Sequence, residues 1–118
     1  KPTTQQREES KIDKEDFQNW FSQIWEMPGA STRNGHPAPF PLELATRLVK
    51  MFSFVGDIVV DPFCGSGTSM VAAMQNNRNS IGIETEQLYC EQIMNRLDRE
   101  RSVVFPAKIS FVDLGNQD

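Results

Sequence analysis

The sequence predicts an α/β fold built on a parallel sheet, and three observations carry that expectation. From residue 57 onward, apolar runs alternate with stretches of helical periodicity, giving strand, helix, strand, helix, strand, the order of right-handed crossover units. The first apolar run, Ile58, Val59 and Val60, leads straight into "DPFCGSGTS" at 61–69, a turn rich in glycine and hydroxyl groups. The first two strands both end on an acid, Asp61 and Glu84. Ligands of open parallel sheets gather at the carboxyl ends of the strands, so the turn and both acids fall where a ligand would sit.

At 118 residues the chain has room for one modest domain. Residues 1–12 are expected to be a flexible polar tail, because they carry almost no apolar surface to offset the entropy of ordering. The folded part is expected over 13–118. Phe17, Trp20, Phe21, Ile24 and Trp25 are spaced for one face of an amphipathic helix, with Asp13 as its N-cap and Pro28 and Gly29 at its end. That spacing favours burial against a core or a neighbouring chain over stacking on exposed bases. Residues 29–41 form a loop, since Pro37, Pro39 and Pro41 each remove a backbone donor.

A helix follows from about Leu42 to Phe52, with Leu44, Ala45, Leu48, Val49 and Phe52 on one side. The first strand is expected from Asp57 to Asp61, and the next helix from near Ser66 to Asn76 and Asn77. "SIGIE" supplies the second strand, ending at Glu84. A helix from about Glu86 to Arg99 repeats Tyr89, Ile93 and Leu97 at intervals of four, and "KISFV" at 108–112 reads as a last strand.

Composition narrows the function classes. No apolar run approaches the roughly 20 residues of a membrane span, and the polar N-terminus lacks a secretory apolar region. Cys64 and Cys90 are too few for a metal cluster or a disulfide framework, so they read as small buried side chains in a reduced, cytoplasmic setting. The net charge of −4, from 12 basic against 16 acidic residues, does not advertise nucleic-acid binding. Any grip on DNA would come from elsewhere. The chain begins with Lys1 rather than methionine, which raises the expectation of a processed chain or a portion of a longer one.

The turn's chemistry is more specific. Pro62 keeps Asp61 extended and stops the strand with the carboxylate at its tip. Gly65 and Gly67 let a ligand approach the main chain, while Ser66, Thr68 and Ser69 put hydroxyls around a helix start whose free N–H groups favour an anion. No lysine follows Gly67, so the turn is not a triphosphate-gripping P-loop. Met70 stands where a dinucleotide fingerprint wants glycine or alanine. Glu84 can accept from both hydroxyls of a ribose. A ligand with a ribose, a cation for Asp61 and a carboxylate for the turn is S-adenosylmethionine; NAD would leave Asp61 beside a pyrophosphate.

With "HPAPFP" at 36–41 ahead of "DPFCGSGT" at 61–68, and "SIGIETEQLYCEQIMNRL" after them, the sequence resembles the amino-group DNA methyltransferases of bacterial restriction-modification systems. The resemblance is to their permuted beta class, whose cofactor-binding half follows the catalytic half. It begins at about "IWEMPGA" and covers most of the chain beyond the tail. It implies a Rossmann-like S-adenosylmethionine-dependent methyltransferase fold, with a partial parallel sheet and flanking helices, and methylation of adenine N6 or cytosine N4.

By position, Asp61, Phe63, Gly65, Ser66, Gly67 and Thr68 resemble the motif lining the methionine end of the cofactor, and Glu84 resembles the ribose-binding acid. Asn34, His36, Pro37 and Ala38 resemble the segment that closes over the methionine moiety. Without the resemblance, His36 would read as a structural loop histidine. The family's catalytic tetrapeptide, an acid, serine or asparagine followed by two prolines and an aromatic, does not occur here. The expectation is therefore a donor half with no catalytic residue and no metal site. Double-stranded DNA would be met through a missing or partner half, and the chain alone would be inactive. Two alternatives stay open: a non-catalytic cofactor-binding or regulatory subunit, and a fragment of an RNA or small-molecule methyltransferase.

Overall fold

The computed structural model describes residues 1–22, 24–29, 40–101, 108–112 and 114. In chain order its elements are α1 (Thr4–Glu9), α2 (Lys14–Trp20), α3 (Leu42–Phe52), β1 (Ile58–Asp61), α4 (Thr68–Gln75), β2 (Asn79–Gly82) and α5 (Gln87–Glu100). β1 and β2 pair in parallel, with Val59 opposite Ser80 and Val60 opposite Ile81. The α/β class holds, with α4 as the crossover between the two strands.

The residues expected to be a tail carry α1 instead. The Thr3 hydroxyl accepts from the Gln6 amide at 3.1 Å and the Gln6 side chain accepts from the Thr3 amide at 2.9 Å, a reciprocal cap. Gln6 also donates to the Val55 carbonyl, and the Ser10 hydroxyl accepts from the Val55 amide, which ties this segment to the turn before β1. No residue of α1 is buried. Polar contacts hold it, and hydrophobic periodicity does not register them.

Asp13 caps α2 as expected, accepting from the Asp16 amide at 2.8 Å. The helix stops at Trp20, short of Pro28 and Gly29, and leaves Ile24 and Trp25 outside it. The Trp25 indole N–H takes the Trp20 carbonyl at 2.8 Å, the acceptor that the next turn of helix would have used. Trp20 and Trp25 lie against α3 through the Arg47 guanidinium, 5.7 and 5.3 Å from their ring centroids, whereas Phe17 and Phe21 stack on each other and stay half exposed. The expected burial of this face is met only in part.

α3 has the expected limits. Its Ala45 and Val49 pack with Ala72 of α4 in one core cluster; Cys64, Val71, Ile93 and Leu97 form the other. α4 is thus enclosed on several sides, and Val71, Ala72 and Ala73 are wholly buried. Arg78, also buried, pins the end of α3 to the start of β2 by donating to Ser53 and to the Asn76 carbonyl.

Gly82 lets α4 sit this close to the sheet: a Cβ there would lie 2.3 Å from Met70 Sδ and 2.9 Å from Cys64 Sγ. The opposite sheet face exposes Ile58, Val60, Ile81 and Ile83.

Residues 108–112, expected as a strand, are not one; among the described residues the sheet has two strands. Ile109 packs on the Cys64 cluster. Alternating polarity specifies a buried side chain, but a strand also needs a ladder partner.

Candidate functional site

The turn between β1 and α4 is shaped by its own polar groups. One Asp61 carboxylate oxygen accepts from the Phe63 amide at 3.0 Å and the other from the Ser69 hydroxyl at 2.7 Å, so the acid closes the turn and holds the first turn of α4 against it. Gly65 and Gly67 have φ of +51° and +78°, in the left-handed region that side chains rarely enter. Gly67 donates to the Cys64 carbonyl at 2.7 Å and accepts from the Val71 amide at 3.0 Å. A Cβ on Gly67 would meet Ile93 at 3.1 Å, so the turn lies directly on α5.

Glu84 joins the turn from the second strand. Pairing runs past the formal ends of the strands, with Ile83 donating to the Asp61 carbonyl at 3.0 Å and Cys64 donating to the Ile83 carbonyl at 3.1 Å. That brings the Glu84 carboxylate to the Gly65 amide, from which it accepts at 3.0 Å, while its other oxygen accepts from the Thr85 and Glu86 amides. A carboxylate has about four acceptor positions, so these three bonds leave capacity for a ligand hydroxyl.

Arg96 approaches from α5. Its Nη1 lies 3.0 Å from the Ser66 carbonyl oxygen, 2.9 Å from Thr68 Oγ1 and 3.4 Å from Ser66 Oγ. Burial lowers the guanidinium's pKa, yet an arginine stays charged in a protein. Two carboxylates, the start of α4 and the Arg96 guanidinium thus all border one turn, the last two supplying positive potential there.

Asp61, Gly65, Ser66, Gly67, Thr68 and Glu84 are brought together at the carboxyl end of the sheet. Thr68 is only 2% exposed, whereas Phe63 projects from the turn at 88% exposure. Asn34, His36, Pro37 and Ala38 lie outside the described residues.

Cys64 sits inside the turn but is no nucleophile. Burial, then the charges of Glu84 and Asp61, push its thiol up to about 11, so it stays protonated near neutrality. Among the described residues no group of three His, Cys, Asp or Glu side chains could hold a metal ion, and no helix is long and apolar enough to cross a membrane. An open groove of about 370 Å³ between α3 and β1 is lined mainly by Phe40, Leu48, Phe52, Ile58 and Val60, with Asp61 and Ser69 also in its wall.

Sequence reasoning missed Arg96 and Gly82. A lone glycine inside a strand pattern is a signal of close backbone approach and could have marked Gly82. Arg96, between Ile93 and Leu97 of the inward face, offered only a cation beside a buried stripe.

A family model described as DNA methylase, of the N6/N4 methyltransferases, matches residues 1–95. Type II methyltransferase M.MjaI of Methanocaldococcus jannaschii is 37% identical over 98% of this chain and 40% of its own length. Type II methyltransferase M.BglI of Bacillus subtilis is 45% identical over 70% of this chain and 24% of its own length. The chain thus spans well under half of these relatives. Among solved structures, the DNA modification methylase TTHA0409 of Thermus thermophilus in complex with S-adenosyl-L-methionine superposes with a TM-score of 0.73 at 49% identity, covering 85% of this chain and 38% of that one. The M1.HpyAVI complex with SAM gives a TM-score of 0.57 at 36% identity, over 64% of this chain and 37% of that one. A family model over residues 1–95 and relatives similar over most of this chain agree: the chain belongs to the N6/N4 DNA methylase family.

Proposed function

We propose that this chain forms the S-adenosylmethionine-binding part of a DNA methyltransferase that modifies an exocyclic amino group, adenine N6 or cytosine N4. The observation that carries the reading is the meeting of Glu84 with the glycine turn, which sets a carboxylate suited to a ribose beside amides and hydroxyls suited to an amino-acid carboxylate. S-adenosylmethionine, when bound, supplies a methyl group on a positively charged sulfur.

The residues here do the holding. Asp61 places negative charge near the cationic end of the ligand, Gly65 keeps the main chain open to close approach, and Gly67 lets the turn pack on Ile93 of α5. Phe63 offers an exposed ring for apolar contact, and Glu84 accepts from the ribose. Asn34, His36, Pro37 and Ala38 would close over the methionine moiety.

The acid-Pro-Pro-aromatic tetrapeptide is absent from the sequence, so base binding and the attack by nitrogen belong to another half or a second polypeptide. Such a half would carry the contacts to double-stranded DNA and receive a flipped-out base, since an amino group is out of reach in the stack. The exposed Ile58, Val60, Ile81 and Ile83 support this reading, because parallel sheets are normally covered on both faces. The setting would be the cytoplasm, where such modification acts. The missing tetrapeptide also favours a second reading for the chain by itself, a binding module that transfers nothing.

Calorimetric titration of the purified protein with S-adenosylmethionine tests the proposal, beside Asp61→Ala and Glu84→Ala. Binding weakened by both substitutions is expected. A folded wild type that gives no binding would overturn the reading, and methyl transfer to DNA by the isolated chain would overturn the division of labour.

A further inference from the structure

Arg96 has no part in the proposed function as stated, yet its guanidinium is bonded to the turn through Nη1. Nη1 carries two N–H groups and faces three oxygens, the Ser66 carbonyl at 3.0 Å, Thr68 Oγ1 at 2.9 Å and Ser66 Oγ at 3.4 Å. A guanidinium accepts nothing, so each hydroxyl can only accept on that side. The two hydroxyl oxygens are 3.1 Å apart, and one must donate to the other. Thr68 is buried, Ser66 only partly so, and Thr68 Oγ1 already accepts from Arg96, so the inner hydroxyl is the donor and Ser66 Oγ the acceptor. Arg96 thus acts on Ser66 mainly through Thr68: by filling an acceptor position on Thr68 Oγ1 it turns the Thr68 proton toward Ser66 Oγ, which leaves the Ser66 proton free for another acceptor.

We propose that Arg96 is a positioning residue of the cofactor turn: it orients the Ser66 hydroxyl as a hydrogen-bond donor toward an anionic group of the ligand, the amino-acid carboxylate. This rests on the cofactor reading above. A merely structural arginine would support the turn for any ligand, whereas an orienting one matters only to a ligand that carries the carboxylate. The positive charge of Arg96 beside the start of α4 acts in the same direction, adding to the potential that favours an anion there.

Titration of the purified protein with S-adenosylmethionine and with its decarboxylated analogue separates the possibilities. Arg96→Met is expected to weaken S-adenosylmethionine by about tenfold or more and the analogue by less than about threefold, the size of one lost hydrogen bond to a charged group. Ser66→Ala should show the same selectivity, and adding it to Arg96→Met should cost little more. Arg96→Lys keeps the charge without the fork and should fall between wild type and Arg96→Met, which keeps the test decisive if Arg96→Met does not fold. Equal losses for the two ligands in a folded variant, or no loss for either, overturn the positioning role alone. Wild type that binds neither ligand overturns the cofactor reading and this inference with it.

Discussion

The Glu84 carboxylate accepts a hydrogen bond from the Gly65 amide at 3.0 Å, joining the end of the second strand to the turn after the first across 19 residues. The same carboxylate accepts from the Thr85 and Glu86 amides ahead of α5, so one side chain serves both the turn and the approach to that helix. Truncation therefore has a stability cost separate from any ligand. Glu84→Ala is expected to lower unfolding free energy by about 2 kcal/mol, and Glu84→Gln by roughly half as much because one oxygen remains. Urea denaturation without ligand measures both; an unchanged midpoint for Glu84→Ala would show that these bonds contribute nothing.

Gly82 predicts a steric cost. A methyl group there would lie 2.3 Å from Met70 Sδ and 2.9 Å from Cys64 Sγ, and the neighbours are part of the packed interior. Gly82→Ala should destabilise by about 1–3 kcal/mol. Pairing it with Met70→Ala should return part of that loss, since the nearest clash is with the flexible methionine. Additive losses in the double-mutant cycle would contradict this packing.

Arg78 predicts a polar cost. It donates to the Ser53 hydroxyl and carbonyl at 3.1 and 2.7 Å and to the Asn76 carbonyl at 2.6 Å, and these oxygens would lose their partner together. Arg78→Met is expected to cost about 2–4 kcal/mol, and Arg78→Lys to recover only a fraction because an ammonium cannot reproduce the fork. Thermal denaturation followed by circular dichroism gives the ranking.

Cys64 predicts an alkaline limit. Its thiol is pushed up to about 11 in the folded protein, mainly by burial and then by Glu84 and Asp61, against about 8.5 for a free cysteine. Between those values the unfolded chain releases the proton first, so the folded state holds more protons and stability falls as pH rises. The contribution is complete below the unfolded value and is lost as pH approaches 11, amounting to about 3 kcal/mol. Urea midpoints from pH 8 to about 10.5 should fall more steeply for wild type than for Cys64→Ala. Parallel profiles would remove Cys64 as the cause.

Local chemistry was legible wherever the chain's own period or steric rules decide the outcome. The limits of α3, the Asp13 cap, the crossover order, the first strand's acid tip and the glycine turn follow from apolar spacing, from proline's missing donor and from glycine's access to positive φ, whereas the second strand stops at Gly82, two residues short of the expected Glu84. These depend on residues close together in sequence.

What the tertiary structure alone decided depends on partners that sequence spacing does not name. α1 persists through a polar cap and bonds to Val55. α2 ends where the Trp25 indole takes a backbone acceptor. Residues 108–112 lack a ladder despite their pattern. Arg96 reaches Ser66 and Thr68 from about 30 positions away, and Gly82 is required by a helix that precedes it. A side chain's local spacing says whether it is buried; only the packed fold says which oxygen, sulfur or ring meets it there.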